Sequence, residues 1–190
     1  MESFLVSTGI VALAEMGDKT QLLAFILAAR FRKRTPIVAG IFVATLINHG
    51  LAGALGTWIT SMLGPETLRW VLGLSFIAMA IWTLIPDKID EEETMTAQRF
   101  GVFGTTLVTF FLAEMGDKTQ VATIAMAAHY AAPLMVVAGT TRGMLIADVP
   151  AVFVGKKFAN KIPLKLVHGI AAGLFALLGV LTLLKIDSWF

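Results

Sequence analysis

Two identical nine-residue segments carry the residues of this chain that could do chemistry. Leu13 to Gln21 and Leu112 to Gln120 share the sequence LAEMGDKTQ, which contains two acids and a lysine in strongly apolar surroundings. Carboxylates at this spacing are hard oxygen ligands, the kind that Mg²⁺, Ca²⁺ and Mn²⁺ prefer. The candidate cation ligands are therefore the four acids, Glu15, Asp18, Glu114 and Asp117.

A continuous helix through each segment would set the acids on one side. Glu15 and Asp18 are three residues apart and share a helix face, with Lys19 one turn after Glu15 on the neighbouring edge. Gly17 lies between the acids, where it weakens the helix and frees backbone carbonyls to point at an ion. The supporting site residues predicted on this basis are Lys19, Thr20, Gln21, Lys118, Thr119 and Gln120.

The composition is that of an integral membrane protein. The 190 residues are 57% hydrophobic and 15% charged, and the mean hydropathy of +0.81 is far above that of soluble domains. Continuous apolar stretches near the roughly 20 residues of a spanning helix favour helices over barrel strands, which alternate. Cysteine is absent, which excludes disulfides, thiolate metal sites and cysteine catalysis. The predicted spans are 3–29, 36–63, 67–86, 100–128, 133–155 and 163–185.

The chain is a tandem repeat with an offset of 99 residues, the distance from Leu13 to Leu112. The same offset matches further residues without a gap, for example Gly40 with Gly139. Each copy has three predicted spans, and because three is odd the second copy enters the membrane from the opposite side. The predicted fold is an all-α membrane protein with six transmembrane helices as two inverted three-helix repeats. The repeats are residues 1–86 and 100–190, joined by an acidic linker at 87–99.

Basic residues in the loops orient the chain. Most lysines and arginines fall in the loops after the first, third and fifth spans, while only Arg69 and Lys185 fall at the opposite face. The positive-inside rule places those three loops in the cytoplasm and both termini outside it. A net charge of only +2 gives no reason to expect nucleic-acid binding. The loop residues are Arg30, Arg32, Lys33, Arg34, Lys88, Arg99, Lys156, Lys157, Lys161 and Lys165.

The charges of the two segments need partners in a membrane. Each intramembrane Asp or Lys costs on the order of 2.5 to 3.5 kcal/mol, so six unpaired charges would cost roughly 15 to 20 kcal/mol, more than a typical total stability of about 5 to 15 kcal/mol. If the segments meet near the midplane, their four carboxylates and two ammonium groups leave a formal charge of −2. One divalent cation, or protons, would neutralise it. The structural alternative pairs Glu15 with Lys19 and Glu114 with Lys118.

Further polar residues lie inside the second and fifth predicted spans. Asn48 and Asp148 are within one position of the repeat offset, so they lie at similar depths and are candidates for additional ligands or a proton acceptor. Arg142, six residues before Asp148, is an alternative partner for that acid and a candidate to compensate charge when the ion has left. None of the three histidines has the spacing of a metal ligand, so we expect no histidine in the site.

The doubled Glu-x-Gly-Asp-Lys-Thr motif, at 15–20 and 114–119, resembles that of the Gdt-type family of cation transporters, formerly an uncharacterised protein family. The likeness covers essentially the whole chain. Bacterial members of this family include manganese exporters, and eukaryotic relatives are Golgi manganese and calcium transporters that exchange against protons. The resemblance implies that the acids of both motifs bind the transported ion. The compact chain is similar to the bacterial branch, which implies Mn²⁺ before Ca²⁺.

On this basis we expect no enzyme but a secondary transporter of a bacterial inner membrane. It would export Mn²⁺ in exchange for protons, by alternating access around the central carboxylates. The expected partners are the divalent cation, protons and the bilayer, without a cofactor or nucleic acid. The alternatives are a Ca²⁺/H⁺ antiporter of the same fold and a passive divalent-cation channel. Dependence of the flux on a proton gradient discriminates the antiporters from the channel.

Overall fold

The computed structural model describes residues 1–85, 101–154 and 164–185, and every regular element within them is an α-helix. The prediction of an all-α chain is therefore confirmed for these residues. The acidic linker at 87–99 and the loop lysines Lys156, Lys157 and Lys161 lie outside them. In chain order the helices are α1 (Glu2–Glu15), α2 (Lys19–Phe31), α3 (Arg34–Met62), α4 (Pro65–Thr83), α5 (Gly101–Glu114), α6 (Lys118–Tyr130), α7 (Pro133–Val154) and α8 (Leu164–Leu183).

Among the described helices, three are long and apolar enough to cross a membrane, namely α3, α7 over Pro133–Phe153, and α8. They coincide with the second, fifth and sixth predicted spans. The first and fourth predicted spans are each divided into two shorter helices, α1 with α2 and α5 with α6. The prediction of continuous helices over 3–29 and 100–128 is therefore wrong.

Both breaks fall inside the repeated segments and follow from their sequence. α1 ends at Glu15, Gly17 has a φ of +85°, and Asp18 is the N-cap of α2. Glycine adopts this left-handed backbone without steric cost, and the Asp18 carboxylate accepts a hydrogen bond from the Lys19 N–H at 2.8 Å. Gly116 has a φ of +79° at the equivalent break. The two acids of one segment thus belong to two different helices and do not share a helix face.

The helices pack in pairs that the repeat relates. α1 packs on α7 as α5 packs on α3, and α2 packs on α7 as α6 packs on α3. Glycines allow the close approach: a Cβ at Gly40 would lie 2.7 Å from Thr106 of α5, and one at Gly139 would lie 2.5 Å from the Phe4 carbonyl oxygen of α1. Each broken span is therefore held mainly by the long helix of the other repeat.

α3 and α7 run antiparallel. Towards the C-terminal end of α3, a Cβ at Gly53 would lie 2.6 Å from Val137 of α7. At the other end the Arg34 guanidinium lies over the Phe153 ring, 5.3 Å from its centroid. Equivalent positions on the two helices therefore lie on opposite sides of their crossing point.

Within the part of the chain that the structure describes, two apolar clusters form the core. One joins α1, α4, α6 and α8 with part of α7, around buried residues such as Phe76 and Phe175. The other joins α2, α3 and α5 with the end of α7, around residues such as Leu27 and Phe110. Within the described residues α4 and α8 contribute only to the first cluster, so the two halves of each broken span have different neighbours.

Candidate cation site

The two breaks bring buried acids of both repeats together. One carboxylate oxygen from each of Glu15, Glu114 and Asp117 lies within 4.8 Å of the others. Glu15 and Glu114 are fully buried, and Asp117 is 5% exposed. Three converging carboxylates are a donor set for a hard divalent cation. The structure thus places three of the four candidate ligands in one cluster.

The fourth acid takes part in ion pairs that cross between the repeats. Lys118 Nζ lies 2.9 Å from Asp18 Oδ2, and both side chains are 1% exposed. Lys19 Nζ lies 3.5 Å from Asp117 Oδ1, with the lysine side chain 21% exposed. Each repeat therefore supplies the ammonium that neutralises an aspartate of the other.

This pairing leaves the formal charge of −2 on the glutamates. Among the described residues, neither Glu15 nor Glu114 has a lysine or arginine within salt-bridge distance, and Oε1 of each is buried without a hydrogen-bond partner. The alternative in which Lys19 pairs with Glu15 and Lys118 with Glu114 is wrong, because the helix breaks turn each lysine towards the other repeat. Oε1 of Glu15 and Oε1 of Glu114 are therefore available to bind a divalent ion.

A threonine of the same segment holds each glutamate. Thr20 Oγ1 donates to Glu15 Oε2 at 2.8 Å, and Thr119 Oγ1 donates to Glu114 Oε2 at 3.1 Å. Both threonines are fully buried. Their hydroxyls were predicted as neutral oxygens near the ion, and in the structure they orient the carboxylates.

The two glutamines tie each break together. Gln21 Oε1 accepts a hydrogen bond from the Gly17 N–H at 3.1 Å, and Gln120 Oε1 accepts one from the Gly116 N–H at 2.8 Å. Gln21 Nε2 also donates to the Ala147 carbonyl oxygen of α7 at 2.8 Å. Their amide oxygens each accept one backbone hydrogen bond, so these side chains hold the breaks in shape. That they also offer neutral oxygens to the ion stays a prediction.

Asn48 connects α3 to the second break. Its Nδ2 donates to the Phe111 carbonyl oxygen at 3.0 Å, and its Oδ1 accepts from Gln120 Nε2 at 3.4 Å. The side chain is fully buried. The polar atoms of Asn48 thus join α3 to the second break, and its role as an additional ligand stays a prediction.

Asp148 lies on α7 next to Ala147, which Gln21 contacts at the first break. It is fully buried, and neither carboxylate oxygen has a hydrogen-bond partner among the described residues. The predicted alternative pairing with Arg142 is wrong: Arg142 is exposed, and its guanidinium lies 5.5 Å from the centroid of the Phe4 ring. Six residues turn a helix by about 240°, so the two side chains point apart. The role of Arg142 as a charge compensator when the ion has left stays a prediction.

One contact was not foreseen from the sequence. His168 of α8 donates from Nε2 to the Met16 carbonyl oxygen at 2.7 Å, and a Cβ at Gly17 would lie 2.5 Å from Leu164. α8 thus covers the first break, whereas a Cβ at Gly116 would meet nothing within 4 Å. Under the repeat offset His168 corresponds to Arg69, so the repeat could not predict a histidine contact at only one of the two breaks.

A family profile described as divalent cation/proton antiporter GDT1 matches residues 3–91 and 102–188 of the chain. The two matched segments begin 99 residues apart, which is the repeat offset found in the sequence. Together they cover nearly the whole chain, both breaks included.

Individual relatives agree with this match. A Vibrio cholerae protein named "Putative manganese exporter" is 51% identical over 183 residues, which cover 96% of this chain and 90% of that protein. A GDT1-like protein of Synechocystis sp. is 29% identical over 202 residues, or 96% and 97% of the two chains. GDT1-like protein 5 of Arabidopsis thaliana is 26% identical over 221 residues, or 97% and 96%. No solved structure matches the chain significantly.

Proposed function

Because the chain belongs to the GDT1 family of divalent cation/proton antiporters, we propose that it exports Mn²⁺ from the cytoplasm in exchange for protons. It is a membrane transporter and not an enzyme. The name of the Vibrio cholerae relative supports Mn²⁺ as the ion. The observation that carries the proposal is the distribution of charge, in which lysines neutralise both aspartates and leave two buried glutamates for the cation.

The proposed ligands are Glu15 and Glu114, with Asp18 and Asp117 completing the site from their ion pairs. One Mn²⁺ balances the two glutamates, and so do two protons. Counting the two aspartate–lysine pairs and the two glutamates, exchange of one Mn²⁺ for two protons would therefore leave these groups neutral in both loaded states. Neutrality matters because an uncompensated charge inside a membrane is costly.

Alternating access is supported by an asymmetry in packing. If α1 with α2 and α5 with α6 are counted as two broken spans, the chain has six spans in two inverted repeats, residues 1–86 and 100–190. With both termini outside the cytoplasm, α1 and α6 would form the outer half of the broken spans, and α2 and α5 the cytoplasmic half. Two helices pack against the proposed outer half, α8 on α1 and α4 on α6. The repeat relates these pairs to α4 with α5 and to α8 with α2. Neither of those two pairs is among the well-packed pairs of described helices. This arrangement suits a state closed outside, and movement of α4 and α8 to the other half would give the opposite state.

The test is Mn²⁺ flux in proteoliposomes under an imposed pH gradient. We expect flux that follows the gradient and is lost in Glu15→Gln and Glu114→Gln, with Glu66→Gln as the control because Glu66 is exposed and pairs with Lys185 at 3.3 Å. Flux of Mn²⁺ that ignores the gradient would contradict the antiporter and favour a channel. Oxygen ligands also suit Ca²⁺, so transport of Ca²⁺ in preference to Mn²⁺ would favour the calcium alternative.

A further inference from the structure

His49 of α3 is a buried polar side chain that the site described above does not use. It is fully buried, and neither ring nitrogen has a hydrogen-bond partner among the described residues. A buried polar group without a hydrogen-bond partner lowers the stability of a folded protein by about 1 to 3 kcal/mol, and such groups are rare in native proteins. Purely apolar packing would be better served by leucine or phenylalanine at this position.

The repeat relates His49 to a second buried ionisable side chain. The offset of 99 relates His49 to Asp148, and it relates Asn48 to Ala147. Asp148 is also fully buried and also without a hydrogen-bond partner within the described part of the chain. Both long helices thus carry an unpaired ionisable side chain at the same repeat position.

Each of these positions lies beside the break of the other repeat. Asn48, directly before His49, bonds to the Phe111 carbonyl and to Gln120, which stand three residues before Glu114 and three residues after Asp117. In the same way Gln21 of the first break bonds to Ala147, directly before Asp148. His49 therefore lies at the level of the second pair of acids, as Asp148 lies at the level of the first.

We propose that His49 is a nitrogen ligand of the transported cation, a role that rests on the proposed Mn²⁺ transport. Asp148 is its carboxylate counterpart at the first break. The central cluster offers three convergent carboxylate oxygens, whereas Mn²⁺ in proteins favours about six ligands. His49 would supply a ligand at the level of the second break and Asp148 one at the level of the first, as the ion passes through the protein.

The imidazole gives the protein a means to distinguish ions of the same charge. Ca²⁺ is bound in proteins through oxygen, whereas neutral imidazole is the commonest side-chain ligand of metals. A nitrogen donor on one of the two sides therefore favours Mn²⁺ over Ca²⁺. The all-carboxylate arrangement produced by His49→Asp would remove that preference.

The test uses the full-length purified protein with Mn²⁺ as the probe. Pulsed electron paramagnetic resonance of the bound Mn²⁺ should detect coupling to a directly bound ¹⁴N nucleus, and labelling the wild-type protein with ¹⁵N-histidine should convert the signal to that of ¹⁵N. His49→Gln should abolish the coupling, whereas the matched control His129→Gln should keep it, because His129 packs against Phe76 and Tyr130. In flux assays His49→Asp should lower the preference for Mn²⁺ over Ca²⁺ by roughly tenfold.

The outcomes separate this inference from the proposed function. Wild-type protein that binds Mn²⁺ without any nitrogen coupling would overturn the role of His49 and leave the carboxylate site standing. Coupling that survives in a folded His49→Gln protein would overturn it equally. Protein that binds no Mn²⁺ in either assay would overturn both proposals. The labelled wild-type measurement needs no variant, so it decides the question even if His49→Gln fails to fold.

Discussion

At the level of single residues, the two ion pairs of the site are unequal. Lys118 and Asp18 are almost completely buried and 2.9 Å apart, whereas Lys19 is partly exposed and lies 3.5 Å from Asp117. Removing one partner of a buried pair leaves an uncompensated charge, which costs about 3 to 5 kcal/mol. The same change at a partly exposed pair costs much less, since water can solvate the remaining charge.

Asp18→Asn is therefore expected to destabilise the protein by about 3 to 5 kcal/mol. The matched control Asp117→Asn should cost roughly 1 kcal/mol. The double variant Asp18→Asn with Lys118→Met should recover most of the loss, because it leaves no unpaired ammonium. Thermal unfolding in detergent measures all three, and equal losses for the two single variants would contradict the assigned pairing.

The hydroxyl of Thr20 should matter for affinity more than for folding. Its hydrogen bond holds Glu15 with Oε1 unpaired, and a bond to a charged group contributes about 1.5 to 3 kcal/mol. We expect Thr20→Val to weaken Mn²⁺ binding by about tenfold to a hundredfold. Calorimetric titration with Mn²⁺ measures this, and Thr20→Ser, which keeps the hydroxyl, serves as the control. Equal affinities for the serine and valine variants would refute the role of the bond.

At the level of helices, the sequence predicted most of the apolar segments but not their interruptions. Hydropathy averaged over a span does not register a three-residue break, so the segments at Gly17 and Gly116 were expected to stay helical. The break nevertheless has a local signature, a glycine past the helix end followed by an aspartate N-cap. The prediction of a continuous helix also placed Glu15 and Asp18 on one helix face. That prediction is wrong because the helix is interrupted between the two residues.

The two break glycines give a matched pair of substitutions. Both have positive φ, where alanine is strained by about 1 to 2 kcal/mol, but only at Gly17 would a Cβ also meet Leu164, at 2.5 Å. Gly116→Ala should therefore lose about 1 to 2 kcal/mol of stability and Gly17→Ala more. Adding Leu164→Ala should reduce the loss at Gly17 and leave Gly116→Ala unaffected. Chemical or thermal unfolding of the four variants tests this, and equal losses for the two glycines would count against the contact with α8.

At the level of the whole molecule, the loop charges predict an orientation in the membrane that can be measured directly. The absence of cysteine makes the natural chain a ready background for single-cysteine labelling. Arg32→Cys and Glu66→Cys are both at exposed positions. An impermeant maleimide added to intact cells should label Glu66→Cys and should label Arg32→Cys only after lysis, because the positive-inside rule puts Arg32 in the cytoplasm. The reverse pattern would contradict the predicted orientation.

The charge balance of the site was predictable from the sequence, but its distribution was not. Counting four acids and two lysines gives −2 without any structure. Which acid each lysine meets depends on how the repeats approach one another, and a linear sequence does not fix that distance. The same limit applies to His49, whose position relative to the second break becomes visible only through the contacts of Asn48 with Phe111 and Gln120.

The ion pairs between repeats also bear on how the protein is made. Synthesis runs from the N-terminus, so Asp18 enters the bilayer before its partner Lys118 has been translated. Until then the Asp18 carboxylate of the first repeat lacks its counterion. The first repeat becomes stable only when the second repeat is inserted and supplies Lys118. A nascent chain cut after the first repeat should therefore be cleared rapidly by membrane proteases, and supplying the second repeat as a separate polypeptide should extend its lifetime. The proposed cation site would thus also make the stability of the first repeat depend on the second.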